Sequence, residues 1–255
     1  MKQLLAFTAK EITEMRRSAR LWLLLVIFLI FAMLSPALAK MTPWLMSTLG
    51  ESLSASGLEV KEITVNALTS WQQYYKNISL ALIIFTLVCG GSLTEEYQKG
   101  TLVNMVAGGL KRRTVISAKT MVLIALWSLC YGLCWVITYG YNEYFWDNAI
   151  GSHLILAGLC PYLFGLWLIS LIMVFSAVFR ANSPVLAGIA LVVGVSYLLS
   201  IVPKLGKYLP TNLLSSYGLL TGGAVGDMLP SIYITAGLTL AAFALAYPLF
   251  NKKQL

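Results

Sequence analysis

Six uninterrupted apolar stretches, near residues 21–39, 78–93, 121–140, 154–179, 185–202 and 231–250, contain no Asp, Glu, Lys or Arg. A bilayer core about 30 Å thick takes about 20 apolar residues of helix to cross. In lipid each backbone amide has to be satisfied within the segment, which a helix does by itself. The runs therefore predict an all-α polytopic membrane protein, with residues 1–255 forming one domain of six transmembrane helices. Composition agrees, because 58% of residues are apolar and 11% charged, against about 45–50% and 25% in soluble domains. A soluble enzyme, a disordered tail and a disulfide-stapled module are all excluded on those terms.

Charge placement orients the spans. The net charge is +8, from 18 Lys and Arg against 10 Asp and Glu. With the N-terminus inside, thirteen of the basic residues fall on inner stretches that carry only four acids, Glu11, Glu14, Glu95 and Glu96. The positive-inside rule then predicts a cell-membrane protein with both termini cytoplasmic. It also accounts for the basic excess without a nucleic acid partner. Ala37-Leu38-Ala39 has the form of a signal cleavage site, but a polar leader of 20 residues is too long for an n-region, so the first run is read as a span.

Residues 1–20 carry Leu5, Ala9, Ile12, Met15 and Ala19 at helical spacing, with Arg16, Arg17 and Arg20 toward the end. This pattern predicts an amphipathic elbow helix on the inner leaflet, its apolar stripe in the acyl boundary and its Arg side chains at the headgroups. Two outer connections are long. Residues 40–77 are polar, whereas 203–230 are largely apolar and broken by glycines. The second predicts a re-entrant segment packed on the bundle before the last span, since irregular backbone at membrane depth needs protein or a water-filled cavity beside it.

Little catalytic chemistry is available. Cys89, Cys130, Cys134 and Cys160 all fall within spans without a His, Asp or Glu at similar depth, so they read as small apolar filler and no metal site is expected. The sole histidine, His153, lies at the edge of span four. The spans hold no carboxylate for a coupled proton or sodium relay. No phosphate-binding loop of the form G-x-x-x-x-G-K-[ST] occurs. The reading is a non-enzyme with no cofactor.

The most informative stretch is residues 94–118, between spans two and three. Glu95 and Glu96 stand at the membrane exit, Gly100 and Thr101 interrupt the chain, and Leu102, Val103, Met105 and Val106 form an apolar ladder before Lys111-Arg112-Arg113. An apolar ladder outside the membrane calls for a protein partner. With Lys99 and Lys119, this pattern resembles the connection between the second and third spans of type-2 ABC exporter permeases. The amphipathic leader and the six spans extend the resemblance over nearly the whole chain. One departure is Gly108-Gly109-Leu110, where family members often have a Pro-Xaa-Ser type of turn.

The resemblance implies a permease subunit of an ATP-driven exporter. It would pair with a second copy or a homologous permease, and a separate ABC ATPase would dock on each permease through Glu95, Glu96, Gly100, Thr101 and the ladder. Trp127, Tyr131, Trp135, Pro161 and Trp167 are candidate pathway residues, and the uncharged interior favours an amphiphilic or hydrophobic cargo such as a peptide, an antibiotic or a lipid-like compound. Pro161 is expected to break span four. Gly158 and Gly165, seven apart on one face, are expected to allow close packing with another helix, which would suit a paired assembly. The alternatives are a stand-alone channel or carrier, and a membrane anchor or immunity protein; a copurifying ATPase separates the first reading from both.

Overall fold

The computed structural model describes residues 2–54 and 65–252. All regular structure among them is helical: α1 (Lys2–Arg17), α2 (Ala19–Ser54), α3 (Ala67–Cys89), α4 (Thr94–Gln98), α5 (Thr101–Ala107), α6 (Arg112–Phe145), α7 (Leu154–Val178), α8 (Asn182–Ser200), α9 (Pro203–Gly206), α10 (Tyr217–Leu220) and α11 (Val225–Lys252). Short 3₁₀ turns lie at Asn148–Ile150 and Pro210–Ser215. Six helices are long and apolar enough to cross a membrane, and they carry the six apolar runs.

Several helices extend beyond those runs. α2 continues through Pro36, Pro43 and the expected outer connection as far as Ser54. α3 starts at Ala67, where the Asn66 side chain accepts the Thr69 amide at 3.2 Å as an N-cap. α6 begins nine residues before its apolar run and is about 50 Å long at 1.5 Å per residue.

α7 is the central helix, packed against α3, α6, α8 and α11. Its seat on α6 depends on two glycines. A Cβ on Gly165 would collide with the Trp127 ring, and one on Gly158 with the Trp135 ring. These glycines therefore admit another helix closely, as expected, but that helix is α6 of the same chain, so they give no support to a contact with a second copy. The four cysteines are free and buried.

Pro161 does not break α7, which is helical from Leu154 to Val178. Proline has no N–H, so the Ala157 carbonyl four residues earlier loses its helical donor. Ser216 replaces that donor, its hydroxyl donating to Ala157 O at 3.1 Å. The expected break is thereby corrected: the orphaned carbonyl is satisfied from outside the helix.

Ser216 belongs to the stretch between α8 and α11, which folds as short helical pieces. Other polar contacts fasten it too. Ser196 and Thr211 hydroxyls meet at 3.2 Å, Asn212 Nδ2 donates to Ser231 Oγ at 2.9 Å, and Ser231 Oγ donates to Lys207 O at 2.7 Å.

Candidate functional site

The expected connection folds as two short helices with a left-handed glycine after each. Gly100 has φ 68° and lies between α4 and α5. Its added Cβ would meet nothing within 4 Å, so the requirement is for backbone conformation and not for space. Gly109 has φ 89°, and the Leu110 amide reaches back to Met105 O at 3.2 Å, closing α5 with a Schellman turn. Gly108-Gly109-Leu110 thus makes a defined helix stop without a proline.

Between those stops the ladder divides. Leu102 is fully buried in the body of the chain, whereas Val103 is 47% exposed. Met105 packs partly against the core. Val106 falls within α5, and its side chain lies outside the described residues. Thr101 is exposed, with its hydroxyl directed to Glu96 O at 3.4 Å.

The acids of α4 point inward, to partners that the apolar pattern did not indicate. Lys119 of α6 is 4% exposed and sits between Glu11 of α1, at 2.8 Å, and Glu96, at 3.2 Å. Its third contact is Ser92 O at 3.0 Å. Lys10 reaches Glu11 at 3.0 Å, Glu14 at 2.6 Å and Glu96 at 3.1 Å. Glu95 pairs with Arg20 and more distantly with Lys99, at 3.8 Å. The charges join the leader helix, the connection and span three around a polar cavity of about 480 Å³.

Burial acts to raise the Glu11 carboxyl, but Lys119 and Lys10 beside it outweigh that and hold it below the ordinary carboxylate value. For Lys10, burial acts to lower the ammonium; Glu14, Glu11 and Glu96 prevail and raise it. Glu11 is the buried member and Lys10 the exposed one, so the buried charge is paired, as burial of a charge requires. Glu11, Glu14 and Glu96 come within 4.8 Å of one another, a spacing that would suit a metal ion. The Lys10 ammonium touches all three, so a cation already occupies the centre.

α1 has two apolar sides. Phe7 is buried beside Glu11 on the packed side, whereas Leu5 and Ile12 face outward. Met15 packs partly against the core, Arg16 and Arg17 are exposed, and Arg20 is half-buried with Glu95. In the basic triplet, Arg112 donates to Asn251 O at 3.0 Å at the end of α11, where a cation suits the helix dipole. Lys111 and Arg113 stay exposed.

The expected pathway aromatics lie mostly inside the chain. Trp127 is fully buried, donates to Tyr162 O at 3.0 Å and meets the Phe28 and Phe85 rings edge-on. Tyr131 donates its hydroxyl to Gly158 O, and Trp167 packs on Phe164. Trp135 is half-buried and stacks on Tyr139. Elsewhere a groove of about 240 Å³ opens between α3, α7 and α8, walled by Leu82, Phe164, Ile189 and Val193 with Ser79, Thr86 and Tyr197 among them.

The sequence model of the ABC-2 family transporter proteins matches residues 5–255. No curated protein matches the chain significantly.

Proposed function

The chain belongs to the ABC-2 family of transporter proteins, and from that premise we propose that it is the permease subunit of an ATP-driven exporter, energised by a separate ABC ATPase that docks on α4 and α5. The division of the ladder carries this reading. Leu102 and Glu96 fasten the connection to the permease, leaving Val103 as an exposed apolar side chain on its outer side. Force applied at α5 would pass through Glu96 to Lys119 on α6 and Glu11 on α1. Two such permeases, each with an ATPase, would rock against each other as the ATPases close, with both termini on the ATPase side.

The cargo surface we assign is the groove between α3, α7 and α8, with Trp167 backing its Phe164 wall. Its apolar lining with a few hydroxyls suits an amphiphile better than an ion or a sugar.

The test copurifies the permease with its ATPase and measures transport-coupled hydrolysis. Val103→Asp is expected to release the ATPase or abolish coupling while the chain still inserts, because burying an apolar side chain is worth about 1.5–3 kcal/mol. Lys111→Ala should do far less, since exposed ion pairs contribute about 0–1 kcal/mol. An intact, active complex carrying Val103→Asp would overturn the docking assignment.

A further inference from the structure

We propose that the groove between α1 and α6 is a binding site for one anionic phospholipid from the leaflet that holds the leader helix. The groove encloses about 370 Å³, within the range of small-molecule sites. On α6 its wall is Met121, Ala125 and Leu129, four residues apart and all exposed. The small alanine between two long side chains leaves a notch, and the stripe runs about 12 Å along the helix axis. On α1 the facing wall is Thr8, Ile12 and Arg16. Apart from Thr8 and Arg16 the lining is apolar, which suits an acyl chain.

Charge selects the headgroup. Glu11, Glu14, Glu95 and Glu96 are all paired with Lys10, Lys119, Arg20 or Lys99. Arg16 and Arg17 have no ion pair among the described residues, and of the two only Arg16 lines the groove. A guanidinium at the mouth of an apolar groove, without a protein carboxylate, matches a phosphate attached to a hydrocarbon tail. The Thr8 hydroxyl is enclosed and finds no hydrogen-bond partner among the described residues, leaving a polar donor beside the same groove.

This inference does not rest on the transport reading, and its test needs no ATPase. The full-length chain is stripped of endogenous lipid in mild detergent and titrated with phosphatidylglycerol or phosphatidylcholine of identical chains, with bound lipid counted by native mass spectrometry. Phosphatidylglycerol is expected to bind about five-fold more tightly, the effect of one Arg near an anionic surface. Arg16→Ala should bring the two lipids level and Arg17→Ala should keep the preference. Ala125→Trp, which fills the notch, should weaken both lipids, with an unchanged melting temperature showing that the fold survives. Equal binding of the two lipids by the unaltered chain would overturn the site, as would loss of the preference in Arg17→Ala to the extent seen in Arg16→Ala.

Discussion

Lys119 and Gly165 show two opposite ways in which single residues define this bundle. Lys119 is a charge at the foot of a span, legible in the sequence as a lysine two residues ahead of the apolar run starting at Met121. Its partners were not legible, because Glu11 and Glu96 reach it from two other helices and no periodicity links distant segments. Breaking such a buried pair typically costs about 3–5 kcal/mol, since the partner is left charged and enclosed. Gly165 acts by absence. Its spacing from Gly158 announced a close helix contact, but the identity of the neighbour depended on where the Trp127 and Trp135 rings settle. Gly165→Ala is expected to destabilise the protein by about 1–3 kcal/mol through overpacking against Trp127, seen as a lower melting temperature in detergent. Gly132→Ala on α6, whose added Cβ would meet nothing within 4 Å, should leave the melting temperature unchanged or slightly raised. Equal losses in the two variants would refute the seat.

At the scale of elements, hydrophobic runs located the six spans because lipid imposes length and apolarity on each one separately. Helix ends escaped the same reading. α6 starts at Arg112, which bonds Asn251 O of α11, and its first turns hold Lys119, which pairs with Glu11 of α1 and Glu96 of α4, contacts that lipid does not supply. Gly100 was legible as a bend, and it has the positive φ that the bend requires. Pro161 was legible as a missing hydrogen bond, but the donor that compensates it comes from 55 positions further along, at Ser216. Such compensation predicts a coupling between the two positions. Ser216→Ala should cost about 1 kcal/mol in the native background and much less in Pro161→Ala, where residue 161 regains an N–H for Ala157 O. A double-mutant cycle on thermal or denaturant stability measures this, and additive effects would mean that Ser216 does not serve the carbonyl freed by Pro161.

For the whole molecule, one chain supplies six spans and, in the proposed exporter, half of the moving assembly. The native mass of the working complex should therefore contain two 28.0 kDa permeases, or one and a homologue, together with two ATPases. A lone permease with transport activity in liposomes would defeat that arrangement. Charge placement predicts an orientation across the bilayer with both termini inside, and the buried cysteines offer a simple way to measure it. Because Cys89, Cys130, Cys134 and Cys160 are all enclosed, a water-soluble maleimide should leave the folded native chain unlabelled. A cysteine introduced at exposed Lys99, and another at exposed Ser152 in a separate variant, would each be the sole reactive thiol. Sealed vesicles would then report the sidedness of each loop without prior removal of the native cysteines.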